Sequence, residues 1–310
     1  MRTSWLFLAL FLATAAAGAA SADDQPDCRL HLLASLDLHT DASGEVYVVM
    51  GVNGHDERML VDTGGLTSML SESVVNTLGL TRRHFEPEAF YFTQYGGIKI
   101  NTYGIADHIT LGTMHGGTTD FVIMPDEDLP AGLDGTLAPD ILSTFDVEFD
   151  FKHGKMNLFR QKHCPGQVVY WTRQPYARIP IRVSQSRQIF VDAALDGHQA
   201  RAILDTGSSW TLLSLEAARQ EFGWDKDPAG LKPAAGEKAT DPHAYVYPFD
   251  KIIFGGIAVG SPAITLVPDK YAGFGHQRFE PIIGISILRQ MHLYIAYGEG
   301  NLYATSADAN

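Results

Sequence analysis

Met59-Leu60-Val61-Asp62-Thr63-Gly64 and Ala202-Ile203-Leu204-Asp205-Thr206-Gly207 are the two stretches that decide how this chain folds. In each, an apolar run leads straight into Asp-Thr-Gly, and the two aspartates lie 143 positions apart. The same offset relates Gly54 to Gly197, His55 to His198, Ser71 to Ser214, Asp107 to Asp250 and Asp126 to Asp269. Downstream, Gly135-Thr136-Leu137-Ala138-Pro139-Asp140-Ile141-Leu142 matches Pro281-Ile282-Ile283-Gly284-Ile285-Ser286-Ile287-Leu288 at an offset of 146. An internal duplication with one small insertion accounts for both offsets and predicts two homologous lobes.

Each copy reads mostly as strand. Runs rich in Val, Ile, Phe and Tyr at residues 46–52, 98–101, 121–124, 147–151, 252–254, 264–267 and 292–297 are separated by Gly-rich turns. Asn53-Gly54 and Asp196-Gly197 are hairpin turns, because these residue types tolerate positive φ. Ser71 and Ser214 are positioned to cap short helices over 72–78 and 215–222, with Gly79 and Gly223 as stops. The expected organisation is all-β. A first lobe covers residues 45–163 and carries Asp62. A linker rich in Pro, Gly and polar residues covers 164–177, and a second lobe over 178–306 carries Asp205. Residues 23–44 are read as an N-terminal segment outside both lobes.

The repeated tripeptide has a chemistry of its own. Each Asp arrives at the end of a buried strand, where an ionised carboxylate is costly unless it is hydrogen-bonded. Gly64 and Gly207 let the backbone turn tightly and bring amides toward the acid. The Thr63 and Thr206 hydroxyls, able to donate and accept, suit the bracing of one loop against another. If a pseudo-two-fold axis relates the lobes, Asp62 and Asp205 meet there and share one proton over a wide acidic range. One acid can then take a proton from a water while the other donates to a carbonyl.

Composition narrows the remaining choices. Among 310 residues, 23 Lys and Arg face 36 Asp and Glu, for a net charge of −13. With no long basic cluster, nucleic acid is excluded as a partner. The 12 His show no His-Glu-x-x-His spacing, and no Gly-x-Ser-x-Gly elbow occurs. Asp225-Lys226-Asp227-Pro228-Ala229-Gly230 opens like a calcium loop but has Gly236 where a bidentate Glu belongs. No metal or cofactor is expected. Residues 1–22 combine Arg2, an apolar run and Ala20-Ser21-Ala22, the pattern of a secretory signal peptide. The run falls short of the roughly 20 residues of a span, so no stable membrane anchor is expected after cleavage. Export to a periplasmic or secreted location makes a Cys28–Cys164 disulfide the first reading, with two unpaired thiols as the alternative.

Asp62-Thr63-Gly64, Asp205-Thr206-Gly207-Ser208-Ser209 and Ile282-Ile283-Gly284 with Ile287-Leu288 resemble the aspartic proteases, pepsin-like and retropepsin-like together. The resemblance spans roughly residues 45–303. It implies a bilobal, double-psi-type β fold with Asp62 and Asp205 as catalytic dyad in the cleft, and Thr63 and Thr206 bracing the loops. It further implies that Ser208 orients the Asp205 carboxylate and that a hairpin of the first lobe covers the cleft. Tyr95, beside Gly96-Gly97, is the flap candidate, the alternative being an aromatic strand packed on the core. Three features depart from the pattern. Gly65 stands where a small hydroxyl residue or Ala is usual, Ala138 stands where Gly is usual, and residues 23–43 are acidic rather than Lys-rich. The function implied is a monomeric, exported aspartic endopeptidase acting on polypeptides. The alternatives are a non-catalytic binding or inhibitor protein using the same cleft, and a structural module in which the tripeptides are only turns.

Overall fold

The computed structural model describes residues 28–86, 92–93, 99–234, 243–269 and 279–309. Both lobes are built on the same strand arrangement. In the first, Val46–Val52 and His55–Val61 form a hairpin through Asn53-Gly54, with φ of 49° and 85°. In the second, Ile189–Leu195 and His198–Leu204 turn through Asp196-Gly197, with φ of 48° and 88°. The side chains of Asn53 and Asp196 fasten these turns identically. Asn53 accepts from the amides of Asp107 and His108, and Asp196 from those of Asp250 and Lys251.

The strand that delivers each Asp is then locked by a crossover. Gly135–Leu137 lies parallel to His55–Val61 and antiparallel to Met69–Ser71, so it threads between the strands on either side of the Asp62 loop. Ile282–Ile283 does the same between His198–Leu204 and Thr211–Ser214 around the Asp205 loop. Parallel strands have no free edge here, so the loops that carry the acids emerge from the middle of a sheet. The expected helices follow. Ser71 caps Glu72–Thr77 and Ser214 caps Leu215–Glu221, and Gly79 and Gly223 end them at φ of 61° and 63°.

The outer strands of each lobe's main sheet carry exposed residues and the central ones are largely buried, against a core that includes Val48, Met50, Phe121 and Leu137 in the first lobe. Val191, Leu213, Phe254 and Leu266 are among the corresponding residues in the second. A third, six-stranded sheet joins the halves. Its order places Asp146–Asp150 of the first half beside Met291–Ala296 of the second, with Leu32–Asp37 at one edge and Ala177–Pro180 at the other. Residues 28–44, read from sequence as lying outside the lobes, therefore supply an edge strand. That strand pairs with Lys155–Phe159, a partner too distant in sequence for a local pattern to reveal. Cys28 and Cys164 form a disulfide beside it. Among the described residues, no helix is long and apolar enough to cross a membrane. The segment read as a signal peptide, residues 1–22, lies outside them.

Candidate active site

The two Asp-Thr-Gly loops meet at the lobe boundary and hold each other by reciprocal bonds. The Thr63 amide donates to Thr206 Oγ1 at 3.1 Å, and the Thr206 amide to Thr63 Oγ1 at 3.0 Å. Each hydroxyl in turn donates to a backbone carbonyl of the opposite strand, Thr63 to Leu204 at 2.9 Å and Thr206 to Val61 at 2.5 Å. Both threonines are buried, so these bonds are shielded from water. The aspartate amides are anchored alike, Asp62 to the Leu137 carbonyl and Asp205 to that of Ile283, both at 3.0 Å.

The glycines make room for the acids across the axis. A Cβ on Gly64 would sit 2.3 Å from Asp205 Cγ, and one on Gly207 would sit 2.6 Å from Asp62 Cγ. Asp205 Oδ1 accepts from the Gly207 amide at 2.8 Å and from the Gly64 amide at 3.2 Å. The two carboxyl groups also share a hydrogen bond. Burial is the largest cause pushing Asp62 well above the usual carboxylate range, followed by the negative charge of Asp205 and the bond between them. Asp205 is also raised by burial, but the Gly207 amide, the bond from Asp62 and the Gly64 amide pull it back. Both acids are thus raised, and the proton between them belongs to the pair. Both residues stay partly open to solvent.

Ser208 is placed differently from the expectation. Its hydroxyl donates to the Trp210 carbonyl at 2.7 Å, and a hydroxyl has one proton to give, so it does not donate to Asp205. The Asp205 carboxylate is already served by two amides. Gly65 and Ala138, two separate departures in sequence, are one packing exchange in space. A Cβ on Gly65 would lie 2.5 Å from Asp62 Oδ2 and 3.3 Å from the Ala138 methyl. In the second lobe the sizes are swapped: Ser208 is the larger residue, and Gly284, where a Cβ would meet the Ser208 carbonyl at 2.6 Å, is the smaller. Tyr95 lies outside the described residues. The short strands on either side of it, Phe92–Thr93 and Lys99–Ile100, pair antiparallel.

Several residues of the site carried no sequence signal. Ser68 and Thr211, equivalent by the 143 offset, accept from the amides of Ala138 and Gly284 at 3.0 and 3.2 Å. Gln188 Nε2 reaches across the boundary to the Gly64 carbonyl at 2.5 Å. Glu45, its equivalent in the first lobe, reaches back to Ser209.

Comparison with known proteins agrees with this geometry. Residues 48–136 match the family described as "gag-polyprotein putative aspartyl protease". The first lobe is thus similar in sequence to that family. The match takes in the Asp62 loop and reaches into the first-lobe crossover strand, and the second lobe repeats the same elements. The fold is shared with conglutin gamma, a basic 7S globulin from lupine seeds, over 90% of this chain and 95% of that one. The identity is 13% and the TM-score 0.50, a likeness of fold alone. No curated protein matches the chain in sequence.

Proposed function

We propose that this chain is an exported aspartic endopeptidase that cleaves polypeptides with a water activated between Asp62 and Asp205. One observation carries the reading: two acids from two lobes meet at a cross-braced boundary, where burial raises both and the Gly64 and Gly207 amides donate to Asp205. Asp205, as the anion, takes a proton from the water as it attacks the scissile carbonyl. Asp62 gives its proton to the carbonyl oxygen. As the tetrahedral species collapses, the proton taken up by Asp205 passes to the leaving nitrogen and a hydroxyl proton of the tetrahedral carbon returns to Asp62. The carboxyls are positioned before substrate arrives, because the threonine bonds and the two glycine contacts leave the loops little freedom. Gly65 and Ala138 are consistent with this role, since together they keep the first-lobe acid's surroundings filled. The disulfide supports an oxidising location.

The test uses the purified protein and a mixed library of unfolded peptides, from acidic to neutral pH, with and without a statine-type inhibitor. Inhibitor-sensitive cleavage is expected in the acidic range, and Asp62→Asn and Asp205→Asn should each lower it by about a thousandfold or more. No cleavage at any pH, or undiminished cleavage by either variant, would select a binding protein on the same fold.

A further inference from the structure

The two lobes are not chemically equal where they clasp each other. At equivalent places just before the first strand of each hairpin stand Glu45 and Gln188. Both sit in the same kind of turn. The Glu45 amide donates to Asp41 Oδ1 at 2.9 Å, and the Gln188 amide to Ser184 Oγ at 3.1 Å. Both side chains leave their own lobe and touch the catalytic loop of the other, Gln188 at the Gly64 carbonyl and Glu45 at the Ser209 hydroxyl. One clasp is neutral; the other can carry a charge.

Glu45 is held in a setting that treats its charge badly. Oε1 accepts from Ser209, while Oε2 is buried without a hydrogen-bond partner among the described residues. The charged groups that face it are Asp41 and Asp205, which repel, and Arg289, which attracts. Arg289 spends one end of its guanidinium on the Gly44 carbonyl at 2.6 Å rather than on the carboxylate. Burial, with smaller contributions from Asp41 and Asp205, pushes Glu45 up to about 7.

We propose that Glu45 is a third acid of the site, a positioning residue clasped to Ser209 that acts on Asp205 across the lobe boundary and sets the pH at which the dyad gives up its last proton. This rests on the dyad reading above. In acid Glu45 is neutral and leaves the dyad alone. As pH rises toward neutrality it ionises, and its negative charge opposes the second negative charge that the dyad would acquire by losing its remaining proton. The monoanionic, working form of the pair thereby persists to higher pH. The effect is one-sided, because the dyad's first ionisation occurs where Glu45 is still neutral.

Glu45→Gln tests this with little disturbance: the amide oxygen still accepts from Ser209, and Gln is what the second lobe uses at this position. Two measurements are made on each protein, the pH profile of kcat/KM on a cleaved peptide and an NMR titration with 13C-carboxyl aspartate. In Glu45→Gln the alkaline limb and the upper aspartate titration should both move to lower pH by about half a unit or more, with the acid limb in place. A merely structural Glu45 would scale the rate at every pH and leave the limb where it was. An unmoved upper titration overturns the proposal. If the parent chain cleaves nothing, the peptidase reading fails, and the NMR titration still decides whether Glu45 governs the pair.

Discussion

At the residue scale, the acids that define the site work against the fold that holds them. Asp62 is raised well above its unfolded value, mainly by burial. The folded chain therefore binds a proton that the unfolded chain has released, over the range from the ordinary Asp value of about 4 up to the raised one. Across that range stability falls as pH rises, and above it the whole penalty is present. Asp62→Asn removes the ionisation but keeps an N–H to donate to Asp205. The variant should melt about 2–4 °C above the parent at neutral pH, with the difference vanishing below about pH 4. Melting curves at several pH values check this, and a gain that persisted at low pH would mean that something other than ionisation had changed. The acids themselves were legible because each occurs twice, after the same apolar strand. Glu45 was not, since in sequence it is one more acid in an acidic stretch, and only the folded turn sends it into the other lobe.

At the scale of elements, what the repeat revealed and what it hid can be separated by the reach of the interaction. The hairpins, the caps and the crossover strands rest on contacts within one lobe, where turn residues and strand patterns speak directly. Asp126 and Asp269 were visible as a repeated pair, but their work was not. They lie against the N-termini of the two short helices, Asp126 Oδ1 accepting from the Ser73 amide and Asp269 accepting from the Ser214 hydroxyl. Ser214 thus serves twice, because it also accepts from the Ala217 amide at 2.9 Å. Ser71 caps Val74 at 3.2 Å, and among the described residues its hydroxyl otherwise meets the Ser73 hydroxyl at 3.1 Å. Replacing Ser214 by Ala should therefore cost about 1–2 kcal/mol and replacing Ser71 about 1 kcal/mol, read as shifts of the urea midpoint at constant slope. Equal costs would show that the bond to Asp269 adds nothing. Glu216 Oε2, which accepts from the Asp269 amide at 2.8 Å, closes the same junction from the other side.

At the scale of the whole molecule, the question is what makes two lobes behave as one. The six-stranded sheet interleaves both halves, with Asp146–Asp150 paired to Met291–Ala296, and one apolar cluster runs through both lobes. Its strands were legible singly, as apolar runs at 147–151 and 292–297, but their pairing joins positions almost half the chain apart. The disulfide acts on a different quantity. Cys28 and Cys164 are separated by 136 residues, so the bond mainly restricts the unfolded chain, for which loop entropy gives up to about 4–5 kcal/mol. In the folded state its neighbours are already fixed, since Leu32–Asp37 pairs with Lys155–Phe159 and the Arg160 amide donates to the His31 carbonyl at 3.0 Å. Cys28→Ser with Cys164→Ser should accordingly lower the melting temperature by about 5–10 °C while leaving a single calorimetric transition. Two separate transitions would mean that the disulfide, and not the shared sheet, couples the lobes. That distinction bears on the proposed activity, because a pair of acids drawn from two lobes is assembled only while both are folded together.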